Sequence, residues 1–398
     1  MVQSFWSTMA LLDTISPLGR LDLASRRVLL RADLDGPRSP YGAVLDDTPL
    51  RALLPTLRAL REARARVVVA ARLGSGPGEF GVPGTVAQSL GELLGARVGV
   101  LDARFVPQLS MVAEGQVVLA PNLATIPEDA ANDGAWAESV ARSIDAYVLD
   151  GLRAAAETSA SVTAIPRLVS ERGAGLAVFG ALEAIRDLTA APPKPFTLIL
   201  GGSSVARVLP VAHALLPLCT DILLGGAVGN TFLVAEGWRP GGSAHEPAAV
   251  QSVEALLVAA QKAGVTVHTP PDVVMATTRG GTRTYSVQKI DRAFQPEEAA
   301  VDVAIATVVA YTDVLSRSAS SLWIGLLGDC SVEETQDGSM RVGQAASRVR
   351  RTAIAGDDTL AASRFFGLAD RFRVIAGGDA ALPLLTGGTL PGLQAIER

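Results

Sequence analysis

The sequence predicts an α/β protein built on parallel sheets, and three observations carry that expectation. Short apolar runs alternate with stretches of helical periodicity along nearly the whole chain, the signature of βαβ units. At 398 residues the chain exceeds one ordinary core, so two domains are expected. In the second half an apolar run repeatedly stops at glycine and gives way to a helix-like stretch: Phe196–Gly202, Ile222–Gly226, Leu322–Gly325, Ile354–Thr359 and Val374–Gly378. Buried parallel strands read as such continuous runs, and open α/β sheets bind ligands beyond their carboxyl ends.

In order, Arg27–Ala32 is a strand and Leu50–Arg64 a helix, with Leu50, Leu53, Leu54, Leu57 and Leu60 at helical spacing. Val67–Ala70 is the next strand, followed by a Gly/Pro-rich loop from Gly74 to Gly84. A helix at Thr85–Leu94, strands at Val98–Leu101 and Val117–Leu119, a helix near Trp136–Ile144 and a strand at Ala146–Leu149 complete the first half. Ala181–Leu188 is helical and runs into Ala191-Pro-Pro-Lys-Pro195, which cannot continue a helix. The expected organisation is two Rossmann-like parallel-sheet domains, 1–180 and 196–385, joined by an interdomain helix and linker, 181–195, with a ligand cleft between them.

A net charge of −5 leaves no electrostatic footprint for nucleic acid. Cations are almost all arginine; lysine occurs only at Lys194, Lys262 and Lys289, so a lysine-dependent phosphate site has three candidates. Cys219 and Cys330 lie far apart in apolar surroundings and read as free thiols of a reducing compartment. Met1–Leu12 has neither the basic region nor the apolar core of a signal peptide, and no run reaches membrane-spanning length. A cytoplasmic location is expected, with no membrane or nucleic-acid partner.

The glycine-ended runs advertise an anion or nucleotide cleft, since glycine lets backbone N–H groups approach a ligand and a helix start favours anions. No Gly-x-x-x-x-Gly-Lys-Ser/Thr loop or dinucleotide fingerprint is present. Asp33 and Asp35 follow the first strand and suit either a turn or a substrate hydroxyl or cation. Asp358-Thr359 suits a helix cap, or a carboxylate facing Mg²⁺ beside a phosphate-binding hydroxyl. His213, His245 and His268 have no neighbour at metal-ligand spacing.

Taken together, these segments resemble the phosphoglycerate kinase family from about Thr14 to the end. Val28–Pro37 is similar to that family's first strand and Val-Asp-Phe-Asn-x-Pro loop, and Leu45–Thr56 to its Asp-Asp-Thr-Arg-Ile-Arg-Ala-x-x-Pro-Thr segment. Gly225–Leu233, Pro271–Val274, Gly356–Thr359, Gly367–Phe372 and Leu390–Leu393 add further matches. The resemblance implies the phosphoglycerate kinase fold, a tail, 386–398, that returns to the N-terminal domain, and a monomer. It also implies reversible phosphoryl transfer between ATP and the carboxylate of 3-phosphoglycerate, with Mg-ATP or Mg-ADP as cofactor. On the substrate side it retains Asp33, Asn122 and Asp150. For the nucleotide it retains Gly201, Gly202, Gly225, Gly226, Gly325, Gly356, Asp358 and Thr359, with Asp358 facing Mg²⁺.

Departures fall on the family's charged positions. Its catalytic arginine after Asp-Asp-Thr falls on Pro49, its histidine before Leu-Gly on Arg72, and the following arginine on Ser75. The glutamate and arginine of Glu-Asn-x-Arg become Pro121 and Ala124, and His-Arg-x-His reads Ala156-Glu157-Thr158-Ser159. The two nucleotide-side lysines become Ser204 and Val208, the Asn-Gly-Pro loop reads Ile324-Gly325-Leu326, and the ribose-holding glutamate aligns with Ser331. Arg31, Arg38, Arg51 and Arg153 are the cations able to swing in as replacements. The expectation is a pseudoenzyme that binds a small anion, a nucleotide or a protein partner. The alternative is an ATP/Mg-dependent phosphotransferase acting on a less anionic carboxylate.

Overall fold

A computed structural model describes residues 11–39, 42–74, 83–102 and 105–398. Ser75, most of the Gly/Pro-rich loop and the first ten residues lie outside the described residues. The chain divides into two units, one of residues 11–183 with Gly388–Arg398, the other Ala184–Gly387. The helix Leu176–Ala190 carries the chain from the first into the second.

In the N-terminal unit six parallel strands run in the order β3-β4-β2-β1-β5-β6. They are β1 (Arg27–Ala32), β2 (Arg66–Ala70), β3 (Gly99–Val100), β4 (Val117–Leu119), β5 (Ala146–Asp150) and β6 (Glu171–Ala174). Apolar side chains on β1, β2 and β5 are buried because helices cover both faces of a parallel sheet. The helix Thr48–Glu62 turns Leu50, Leu53, Leu54, Leu57 and Leu60 into that core, as their spacing predicts. The C-terminal helix Pro391–Ala395 belongs to the same unit. A Cβ on Gly392 would lie 2.8 Å from the Ala155 Cα, and the Arg172 guanidinium donates to the Glu397 carbonyl at 2.8 and 3.2 Å.

The C-terminal unit holds a second six-stranded parallel sheet, β15-β14-β13-β7-β8-β9. Its strands are β7 (Phe196–Leu200), β8 (Asp221–Leu224), β9 (Thr266–His268), β13 (Ser320–Ile324), β14 (Arg351–Ala355) and β15 (Arg373–Val374). Each glycine-ended run is thus a strand of one sheet, as expected. A three-stranded antiparallel sheet, β11-β10-β12, from β10 (Asp272–Arg279), β11 (Thr282–Lys289) and β12 (Glu298–Val303), was not anticipated. Its signal was present: Gly280-Gly281, at φ +55° and +81°, forms the two-residue hairpin turn that favours glycine. β6 was also missed, because Glu-Arg-Gly-Ala lacks the apolar run of its neighbours.

Among the described residues no helix is long and apolar enough to cross a membrane. Both cysteines are free thiols.

Candidate functional site

In each unit the chain steps to one side of its first strand and later returns on the other, creating the switch point where open α/β sheets bind ligands. In the N-terminal unit this point lies between β1 and β5, and in the C-terminal unit between β7 and β13. Asp33 and Asp150 end the first pair; Gly201 and Gly325 end the second.

Asp33 accepts from the backbone N–H groups of Arg153 and Ala154 at 2.8 Å each, capping the short helix Leu152–Ala155. Burial raises its pKa from the ordinary value, against the nearby Arg31 charge. Asp150 caps the helix Leu176–Ala190 through Ala177 N (2.9 Å) and Val178 N (3.1 Å). Burial pushes it up to about 6. Its Oδ2 is buried without a hydrogen-bond partner. Asp35 accepts from Gly74 N at 2.9 Å and pairs with Arg38 at 3.3 Å. Asn122 clasps the backbone of Leu73, receiving its N–H at 3.0 Å and donating to its carbonyl at 2.8 Å. These residues hold the loops after β1, β2, β4 and β5 together at one end of the sheet.

Arg72 joins them through charge. Its Nε lies 3.2 Å from Glu157 Oε2 and its Nη2 3.5 Å from Asp129 Oδ2. The buried Arg31 meets the same Glu157 oxygen at 3.0 Å. Arg31 cannot swing in as a replacement cation, because it is 1% exposed and also donates to the Ala32 carbonyl and Ser161 hydroxyl. Arg38 is held by Asp35, Arg51 pairs with Asp47 on the surface, and Arg153 is likewise engaged. Pro49 lies against Gly36, 3.5 Å from where its Cβ would stand. Ala124 is half-buried beside Asn122, whose side chain accepts its N–H. Asp129 escaped sequence reasoning because an acid next to Glu128 in Pro-Glu-Asp reads as surface; the fold buries it completely.

In the C-terminal unit the glycine turns interlock. A Cβ on Gly201 would strike the Leu326 carbonyl, and one on Gly325 (φ +80°) would strike Gly201. Gly225 likewise abuts Leu327, 2.7 Å from an added Cβ, and Gly226 (φ +62°) would meet Gly202 O at 2.9 Å. A cavity of about 580 Å³ opens beside them, lined by Gly202, Ser203, Gly226, Ala227, Ala300 and Asp358 among others. Asp358 is exposed at the start of the helix Asp357–Phe365, preceded by Gly356 at φ +91°. Thr359 is buried and its hydroxyl accepts from Gly325 N. A neighbouring cavity of about 480 Å³ shares Leu326, Asp329 and Asp358 and includes Ser331.

Ser204 precedes the helix Val205–Leu215 without a side-chain cap, and Val208 is buried. Glu246 supplies the cap, accepting from Val205 N at 2.8 Å and Ala206 N at 3.3 Å. Arg207, which sequence reasoning passed over, reaches Asp379 at 2.6 Å and Asp358 at 4.0 Å, with a Cβ on Gly202 3.3 Å from its Nη2. None of the three lysines lines the cavity. His268 pairs with Asp221 at 2.8 Å, and His245 bonds its own loop at Ser243. No group of three or more His, Cys, Asp or Glu suited to a metal occurs among the described residues.

Two parallel-sheet units, each with its loops gathered at a switch point and one bearing a cavity of about 580 Å³, define a two-unit α/β protein of the doubly wound class. The phosphoglycerate kinase family model matches residues 18–388. Phosphoglycerate kinase of Thermomicrobium roseum is 34% identical over 385 residues, covering 94% of this chain and 97% of that one. The Clavibacter sepedonicus enzyme is 35% identical over 405 residues, covering 97% and 99%. Among solved structures, phosphoglycerate kinase from Coxiella burnetii superposes with a TM-score of 0.85 at 26% identity, covering 96% of this chain and 98% of that one. The one from Pyrococcus horikoshii shares the fold, with a TM-score of 0.83 at 23% identity and the same coverage. The chain belongs to the phosphoglycerate kinase family.

Proposed function

We propose that this chain binds a magnesium nucleotide in its C-terminal unit and does not carry out phosphoryl transfer between ATP and 3-phosphoglycerate at enzymatic rates. It acts as a nucleotide-binding or regulatory member of its family. The observation that carries this reading is the charge pairing of Arg31 and Arg72 with a carboxylate of their own unit, Glu157. A triply charged substrate needs guanidinium groups to spare. By the family resemblance, Pro49, Ala124, Ser204 and Val208 stand at positions expected to be cationic. A donor aimed at developing charge is worth roughly 10²–10³ in rate, and an arginine acting on a transferring phosphoryl group about 10³–10⁵. Losing several leaves no useful turnover.

Support for the nucleotide comes from the 580 Å³ cavity and from the Gly356–Thr359 turn at its rim. Mg²⁺ is held by one or two carboxylates together with the nucleotide's phosphates, and Asp358 offers one exposed carboxylate there. The residues present therefore fit the ion.

Calorimetry with Mg-ADP and Mg-ATP tests the binding half: no heat at millimolar nucleotide overturns it. A coupled assay with 3-phosphoglycerate and Mg-ATP tests the other half, which a turnover in the usual range of about 1–10³ s⁻¹ would overturn. A second reading, phosphoryl transfer to a less anionic carboxylate, is favoured by the small apolar side chains of Pro49, Ala124 and Ala156. Release of ADP that depends on one member of a panel of organic acids would establish it.

A further inference from the structure

Two hydrogen-bond donors, Arg31 Nη2 and the Ser159 hydroxyl, and the charge of Arg72 converge on a single oxygen in the N-terminal unit, where Arg72 Nε makes no hydrogen bond. Glu157 Oε2 lies 3.0 Å from Arg31 Nη2, 3.2 Å from Arg72 Nε and 3.3 Å from the Ser159 hydroxyl. They come from β1, from the loop after β2 and from the segment after β5, so only the folded chain assembles them. One guanidinium and one hydroxyl that donate, with a second guanidinium at ion-pair distance, surround one point with the charge an oxyanion site needs.

We propose that Glu157 is an internal stand-in for an anionic ligand. Its carboxylate fills a two-guanidinium oxyanion site and makes this end of the unit select ligands that carry no phosphate or carboxylate at that position. The inference goes beyond the reading above, whose nucleotide lies in the C-terminal unit.

Arg31 does not depend on Glu157 for its placement. Arg31 is anchored by the Ala32 carbonyl at 2.8 Å and by the Ser161 hydroxyl at 3.3 Å. Ser161 is in turn fixed by Asp129, which accepts its N–H at 2.7 Å. Asp129 also faces Arg72 through Oδ2, a buried oxygen without a hydrogen-bond partner. Two guanidiniums and two carboxylates therefore sum to zero. Removing the Glu157 charge leaves one net positive charge with the Arg31 head out of water, a condition that is costly until an anion replaces it. Glu157 itself has a side chain 27% exposed, so the place it vacates opens to solvent. The occupant it admits is one oxyanion, a carboxylate or a phosphate group.

The test follows the arginine Nε–H resonances of ¹⁵N-labelled full chain during titration with inorganic phosphate. In the wild-type chain the Arg31 and Arg72 signals should show no saturable shift up to about 10 mM phosphate, weaker than a 1 mM site worth about 4.1 kcal/mol. In Glu157→Gln both should shift and saturate at a concentration at least about tenfold lower. The variant's melting temperature should fall without phosphate and recover with it, and adding Arg72→Gln should abolish the response. A folded Glu157→Gln with no gain, or a wild-type chain whose Arg72 saturates below millimolar phosphate, overturns the proposal. Should Glu157→Gln not fold, Glu157→Asp draws the carboxylate back by one methylene. A phosphate response there that is smaller but measurable supports the proposal, and none overturns it. Mg-ADP binding by the wild-type chain is measured separately. Its absence would sink the nucleotide reading and leave the Glu157 result standing.

Discussion

The Thr359 hydroxyl accepts a hydrogen bond from the backbone N–H of Gly325 at 2.7 Å, binding the turn after β14 to the turn after β13. Both turns flank the 580 Å³ cavity, and Thr359 is fully buried. Replacing it by valine keeps the shape and leaves a buried N–H without a partner, a loss of about 1–3 kcal/mol. Thr359→Val should melt lower and bind Mg-ADP more weakly, while Thr359→Ser should retain both properties. Equal melting curves for Thr359→Val and wild type would refute the tie.

Gly201 has no room for a methyl group. Its added Cβ would strike the Leu326 carbonyl and lie 3.0 Å from Gly325 O, both of them backbone atoms that cannot rotate aside. Gly201→Ala should cost about 1–3 kcal/mol, the usual range for overpacking. Gly180, inside a helix with nothing within 4 Å of its added Cβ, is the control. Gly180→Ala should stabilise by about 0.5–1 kcal/mol. Chemical denaturation of the two variants checks both signs.

Asp302 is buried and caps the helix Asp337–Ala346, accepting from Gly338 N at 2.8 Å. Burial pushes its pKa up from 3.8 to about 7, outweighing two backbone donors. A raised pKa means that the folded chain favours the protonated acid. Its contribution is therefore fully present below 3.8 and lost as the pH rises through about 7. The advantage of wild type over Asp302→Asn in melting temperature should be larger at pH 5 than at pH 8. A difference that grows toward pH 8 would reverse the sign.

Arg27 and Asp145 behave in the opposite sense. Their side chains meet at 2.7 Å across the start of β1, and Asp145 also accepts the Arg27 backbone N–H at 2.9 Å. The Arg27 hydrogen bond holds the Asp145 pKa down at about 2, against 3.8 ordinarily. This stability is present above 3.8 and lost as the pH falls through about 2. Partial exposure limits it to about 1 kcal/mol. Melting of wild type and Asp145→Asn should differ at pH 6 and converge near pH 2.

The strands, the helix at 48–62 and the glycine turns were legible in the sequence because they depend on local chemistry. Apolar continuity marks a strand buried on both faces, 3.6-residue spacing marks a helix, and glycine marks backbone that must touch backbone. Gly201 and Gly325 were named from their place after apolar runs, and the fold shows them in mutual contact. The antiparallel sheet was legible in Gly280-Gly281 and went unread. Charge partnership was a different matter. Glu157 could be read, from the family resemblance, as an acid at a position expected to be basic, but not as the common partner of Arg31 and Arg72. Asp129 and Glu246 gave no local signal at all. Ion pairs and caps join residues 32 to 126 positions apart, and no periodicity in a chain records which loops will meet. The sequence by itself determined the elements and the glycines at their ends. The tertiary structure alone decided which charges neutralise one another, because Coulomb interactions follow distance in space and the order of strands in the sheet sets that distance.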